Sequence, residues 1–172
     1  MADQEWMAKI TALEARIKEL EDIEEIKKLM WNYAYYLDYG EVDKVMNCFA
    51  DNARLEVRVR GTAEIGVHVG VFEGKKAIEE NVFRAASHSK DRFAEAHQIE
   101  NPVVMVEGEK AKGIFYLFCP HGRERAVWGH GRYDMEFVKV GGKWKIHLFK
   151  FLWNFNTPWD EGWFKTPMVA DP

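Results

Sequence analysis

The chain has 172 residues, enough for one domain with its own hydrophobic core. With 47% hydrophobic and 30% charged residues, and a net charge of −4 from scattered rather than striped Lys and Arg, it lacks the electrostatic footprint of a nucleic-acid binder. No apolar run approaches the ~18–20 residues of a membrane span. The charged start MADQEWMAKI does not read as a signal peptide, and Cys48 and Cys119 read as free thiols, so the expected setting is cytoplasmic.

The first segment places apolar residues at Ile10, Leu13, Ile17 and Leu20, then at Ile23, Ile26, Met30, Tyr33 and Leu37, a helical period throughout. The run of threes from Leu20 to Ile26 rotates the stripe, and Asp22 followed by Glu25 has the form of a new N-cap. The expectation is an outer helix over 4–20 with one narrow apolar seam, a bend or break near 21–23, and a core helix over 23–38. The core helix ends in WNYAYYLDYG, stopped by Gly40. Asp38 in that last turn opposes the helix dipole, which favours cations there; the acid needs a partner from elsewhere in the chain.

A short helix is expected over 41–49. ARLEVRVR, 53–60, alternates as a half-buried strand, and 65–72 reads as a second strand. Gly74 opens a helix ending near Ser87, followed by the polar loop SHSKDR. Strand-like runs cover 94–106, 110–119 and 126–140, and Gly141–Gly142 turns the last into 143–155. This order predicts one α+β domain, a cone-shaped barrel in which a curved, mostly antiparallel sheet packs on N-terminal helices, with the outer helix added. Its parts are the outer helix 1–21, the core cone 22–155 and an irregular Trp- and Pro-rich tail 156–172. The tail reads as a lid over a pocket or an arm over a neighbour, because paired tryptophans are costly to leave in water.

The high aromatic content, 14% with seven Trp and eleven Phe, fits a heavily filled core or a large apolar cavity. There is no Walker loop, GxGxxG or GxSxG elbow, and His68, His88, His121 and His147 lack metal-ligand spacing, so no metal and no cofactor are expected. His130, between Gly129 and Gly131, marks a bulge or the close approach of a ligand.

IEEIKKLMWNYAYYLDYGEVDKVMNCFADNARLEV, FEGKKAIEE and GHGRYDMEFVKVGGKWKI, in that order, resemble SnoaL-like proteins of the nuclear transport factor two-like superfamily over about residues 20–155. Within it the resemblance is nearest to the dehydratase branch of bile-acid and scytalone dehydratases, cofactor-free lyases with a deep conical pocket. It implies that Tyr33, Asp38 and His97 (in EAHQIENP) are catalytic. His97 is the acid/base and starts near neutral, Asp38 orients it, and Tyr33 donates a hydrogen bond to a developing oxyanion. Two polar positions of the bile-acid enzyme do not carry over: its acid falls near Phe118 or Cys119 here, and its Arg near Trp153. Tyr36, Tyr116, His130 and Trp153 are the candidate substrate-binding residues. The expected function is a lyase acting on a hydrophobic, aromatic small molecule, by dehydration or by C–C cleavage that releases a small aldehyde such as formaldehyde. The alternatives are an isomerase or cyclase using the same pair, or a non-catalytic binding or small-subunit protein. Self-association as a dimer or trimer is expected; nucleic acid and membrane are not expected partners.

Overall fold

No glycine or proline interrupts the chain between Ala2 and Asp38, and the backbone there is one helix. It is α1 (Ala2–Asp38) of the computed structural model, which describes residues 2–59, 70–84, 94–122 and 125–167. The expected break at 21–23 does not occur. Asp22 is not a cap: its carboxylate is buried and accepts hydrogen bonds from Trp144 Nε1 at 2.9 Å and from Lys139 Nζ. A side chain drawn away by two tertiary donors does not turn back onto its own backbone. The rotation of the stripe still has its effect. Ile10, Leu13, Ile17 and Leu20 are all exposed, whereas Ile26 and Met30 are fully buried. One helix is thus an outer rod through residue 21 and a core element beyond it.

Gly40 ends α1 with a φ of +66°, and its N–H reaches Leu37 O at 2.9 Å. The short α2 (Val42–Asn47) leads into β1 (Phe49–Val59). β2 (Gly70–Glu73) pairs with β1, and α3 (Lys75–Ile78) runs into a π-helical turn, Glu79–Phe83, that carries the buried Phe83. The expected strand residues 65–69, the end of the middle helix near Ser87 and the SHSKDR loop lie outside the described residues, as do His68, His88 and 168–172.

β3 (Ala94–Glu95) and β4 (Gln98–Glu107) both pair with β5 (Lys110–Gly122). β6 (Ala126–Val140) and β7 (Lys143–Pro158) complete the meander, and a one-turn α4 (Gly162–Lys165) follows. The sheet runs β2–β1–β7–β6–β5 with β3 and β4 on the outer side of β5, and it does not close. β1 and β7 are parallel, and every other pair among the described strands is antiparallel. β7 takes three residues from the expected tail because β6 begins early enough to pair with them, Val127 opposite Pro158.

Alternation along β5, β6 and β7 puts Phe115, Leu117, Cys119, Tyr133, Met135, Phe137, Ile146 and Phe149 on the inner face. They pack against Ile26, Met30 and Tyr33 of α1 and Ile78 and Phe83. Bulges at His130/Gly131 and Glu136/Phe137 bend the β6–β7 pair around this core. Gly131 has a specific reason to lack a side chain: a Cβ there would lie 2.1 Å from the Phe151 ring and 2.8 Å from Leu152 O. Gly131→Ala therefore costs about 1–3 kcal/mol of stability, measured by urea unfolding.

The described part of the tail rests on the outer face of the sheet. Trp159 stacks on Trp128 with ring centroids 4.3 Å apart, and Trp163 on Phe155 at 5.1 Å. Trp128 and Phe155 alternate with the inward-facing residues of their strands.

Candidate functional site

The site begins at the last residue of α1. Asp38 Oδ1 lies 2.6 Å from His97 Nδ1, and the backbone N–H of His97 donates to both Asp38 oxygens, at 3.1 and 3.2 Å. The second contact has a local cause. The register on β5 runs unshifted from Glu95 opposite His121 to Gln98 opposite Phe118, so successive N–H groups alternate between β5 and the strand's open edge. The Ala96 N–H reaches Pro120 O at 3.1 Å, and the His97 N–H points away from β5 to the helix end. Asp38 thus gains a cation and a backbone donor, which answers its unfavourable position on the helix dipole.

Glu95 joins this pair. Its carboxylate lies 4.0 Å from His97 Nε2, on the ring nitrogen away from Asp38. All three side chains are mostly shielded: 10% exposed for His97, 19% for Asp38 and 15% for Glu95. Burial opposes charge on the imidazole, but Asp38, helped by Cys119 and Glu95, outweighs it and raises the His97 pKa to about 10. The two carboxylates at its ring nitrogens thus favour the imidazolium form of His97. This surrounding charge, which the matched motifs do not include, favours the charged form over the near-neutral start expected from the sequence.

Tyr33 is buried, edge-on to Phe49 and Phe83 and tilted against Phe149 at 5.5 Å. Burial, then the nearby charges of Glu95, Cys48 and Asp38, raises its phenol well above the usual range, so it remains a proton donor. Tyr133 on β6 is shifted the same way by burial and by Tyr33, Cys119 and the same carboxylates. Trp153 lies opposite Gly131 and packs on Phe151 at 4.4 Å, on the same sheet face as Tyr133. It adds an aromatic wall near the polar group.

The other candidate residues lie elsewhere. Tyr36 packs towards α2, with Lys44 Nζ 5.4 Å from its ring centroid. Tyr116 and His130 are on the outer face, 5.5 Å apart, alternating with the inward Phe115, Leu117, Gly129 and Gly131. His130 stacks on Phe155 at 5.2 Å and meets Asn154 at 3.0 Å, and burial lowers its pKa. Its flanking glycines mark a bulge and a close approach of Phe151.

The sequence does not single out Glu95, Tyr133 or Asn156 on the inner face; Cys119 and His121, read there as a free thiol and a histidine without metal-ligand spacing, face inward too, with His121 and Asn156 in contact at 3.0 Å. Glu95 and His121 are cross-strand partners, so their side chains share a face. The usable signal was the Glu-x-His spacing in EAH together with the odd-numbered alternation of β5. Asp38, Glu95 and His97 also offer donor atoms within 4.8 Å of one another, the one such group among the described residues. Because Asp38 already holds Nδ1 and the N–H of His97, a cation there has to engage Nε2 and Glu95 and displace the imidazolium proton.

A family model described as SnoaL-like domain matches residues 18–150. No curated protein matches the chain significantly. Among solved structures, it is similar to a provisionally named aromatic ring hydroxylase from Novosphingobium aromaticivorans, at 24% identity and TM-score 0.69, over 81% of this chain and 94% of that one. It is similar to type 2 hexachlorocyclohexane dehydrochlorinase, LinA, at 16% identity and TM-score 0.67, over 83% and 92%. A third is a provisionally named scytalone dehydratase, also from Novosphingobium aromaticivorans, at 17% identity and TM-score 0.66, over 81% and 89%. Other similar structures are described as having a cystatin-like fold, one of them as an NTF2-like protein. At these identities the likeness is one of fold: helices on a curved, open sheet.

Proposed function

Since the chain belongs to the SnoaL-like domain family, we propose that it is a cofactor-independent lyase acting on a hydrophobic, aromatic small molecule. The observation that carries this reading is the mostly shielded Asp38–His97–Glu95 line, with contacts of 2.6 and 4.0 Å at the two ring nitrogens, on the inner side with Tyr33, Tyr133, Phe151 and Trp153. A plain carrier of apolar ligands has no use for an imidazolium between two half-buried carboxylates, whose assembly costs desolvation. Apolar walls with a few convergent polar groups suit an aromatic substrate. The names of two structural neighbours, a dehydrochlorinase and a scytalone dehydratase, are of elimination enzymes and lend support.

The protonation state divides the work. His97, charged at the start, donates its Nε2 proton to the leaving oxygen. Glu95 removes a proton from the adjacent carbon; the C–H electron pair becomes the new double bond, and the C–O pair leaves with water. The proton on Glu95 then returns to His97 through the released water, which can bridge the 4.0 Å between them, and the site is reset. Asp38 keeps the imidazolium in place, and Tyr33 donates to oxygen charge that develops on the substrate. In the C–C form of the reading, Glu95 takes the proton of a hydroxymethyl group, the C–C pair flows into the aromatic system as formaldehyde leaves, and His97 protonates that system.

The test is to bind phenolic diaryl compounds, naphthols and steroids, following tryptophan quenching, and to weigh the recovered ligand. Loss of water identifies a dehydratase and loss of formaldehyde an aldehyde-releasing lyase. Ligand recovered at unchanged mass overturns the lyase reading: an altered chromatographic position then means an isomerase, an unaltered one a carrier. On the substrate so found, Glu95→Gln lowers kcat by about 10²–10⁴-fold while quenching persists. Dialysis against a chelator leaves the rate unchanged, and added Zn²⁺ inhibits by engaging Glu95 and His97.

A further inference from the structure

Residues 3–21 of α1 are exposed at every position, and most of this stretch precedes residue 18, where the family match begins. It nevertheless carries six large apolar side chains, each 45–66% exposed: Met7, and a seam of Trp6, Ile10, Leu13, Ile17 and Leu20. Their spacing of four, three, four and three is the heptad alternation of a coiled-coil seam. Ile10 and Ile17 fall at a, and Trp6, Leu13 and Leu20 at d. β-Branched residues at a with Leu at d favour two strands over three or four.

The flanking charges choose the partner and its direction. Lys9 and Arg16 occupy g, and Glu14 and Glu21 occupy e. In a parallel pair of identical helices, each g residue meets the e residue of the following heptad on the other chain. Lys9 then faces Glu14 of the second copy, and Arg16 faces Glu21, twice over by symmetry. An antiparallel pair would set Glu against Glu and Lys against Arg. Within one chain Lys9 is held by the exposed Glu5, at 2.7 Å, a contact that is easily exchanged.

We propose that residues 3–21 of α1 form a parallel two-stranded coiled coil with the same segment of a second copy of this chain. The seam is short, about 28 Å of helix. A free peptide of this length is marginal as a helix, but here the helix is already nucleated: it continues without interruption into the core, where Asp22 is fixed by Trp144 and Lys139. The parallel arrangement also sets both domains at the same end of the coil, side by side.

The full chain should sediment as a dimer at tens of micromolar, and Leu13→Glu with Ile17→Glu should weaken that dimer by more than about a hundredfold. Both sites are exposed in the single chain, so the domain still folds. Lys9→Glu with Arg16→Glu should dissociate the dimer, and mixing that variant with Glu14→Lys/Glu21→Lys should restore it. Direction is read from Asp3→Cys, at an a position near the free end: mild oxidation should join two chains through the introduced thiols, and Leu13→Glu/Ile17→Glu should prevent it. A monomeric wild-type chain, a dimer indifferent to the seam substitutions, or failure of the Asp3→Cys variant to cross-link would overturn the proposal.

Discussion

Asp38→Asn lowers kcat/KM by about 10²–10⁴-fold and brings the His97 pKa down from about 10. The amide preserves size and an acceptor oxygen but removes the charge at 2.6 Å from Nδ1. Burial then works on the imidazole with less opposition and disfavours its charged form. His97→Gln produces a loss of similar size, and the double variant is little worse than either single one, because the two residues act as a unit. An NMR titration of the His97 ring, in wild type and in Asp38→Asn, reads the same change without any substrate. An unmoved pKa or undiminished turnover in Asp38→Asn would sink the dyad. The shift also acts on stability. The folded protein holds the His97 proton more tightly than the unfolded chain, where the ordinary value of 6.5 applies. The stabilisation is whole below pH 6.5 and is lost as pH rises towards about 10. Urea unfolding across that window should show a decline in wild type that Asp38→Asn flattens.

Asp22→Asn destabilises the domain by about 2–3 kcal/mol, near the lower edge for breaking a shielded ion pair. The carboxylate accepts from Lys139 Nζ and Trp144 Nε1, and Lys18 stands 3.8 Å away on the solvent side. Asn can still accept from Trp144, but it leaves the Lys139 ammonium, whose side chain is only 8% exposed, without its contacting carboxylate and with only the more distant Glu109 and Glu25. For a domain of this size the melting temperature should fall by about 5–10 °C. Lys139→Met in the Asp22→Asn background should recover much of that loss, because it removes the stranded charge. The pH signature is opposite to that of His97. Despite the cost of burial, Lys139 and Trp144 hold the Asp22 carboxyl below its ordinary value. Its contribution is present above the ordinary value of 3.8 and disappears as pH falls through the lowered one.

The meander and the helical start were legible because they follow simple periods. β5 and β6 alternate over nearly their whole length, and Gly141–Gly142 names its own turn, with φ of +56° and +77°. The continuity of α1 was not legible, because the same Asp22 serves equally well as a cap or as an acceptor for donors more than a hundred residues away. Nor does a sequence show parity across a bulge. Tyr116 and His130 read as plausible pocket residues, and which sheet face they occupy depends on the register at Phe118–His130 and the bulge that follows. Asp38 announced itself by standing at the wrong end of a helix. Glu95 gave no such sign: an acid two residues before a histidine shares its face along any strand, and it becomes part of a site only because the fold lays that face against the end of α1.

The pairing of β1 with β7 joins residues nearly a hundred positions apart, and it bears on how a nascent chain matures. Asp22 waits for Lys139 and Trp144, Asp38 waits for His97, and β1 has its parallel neighbour only after β7 exists. Until the last strand leaves the ribosome, the N-terminal third can offer little more than a helix and an open strand edge, a form suited to chaperone capture or to aggregation. The β5–β7 meander, with mostly local contacts, is the part able to organise early. Synthesis and assembly therefore run in opposite directions along this chain, and a ribosome that stalls before β7 releases a product whose β1 lacks its parallel neighbour and whose Asp22 lacks Trp144.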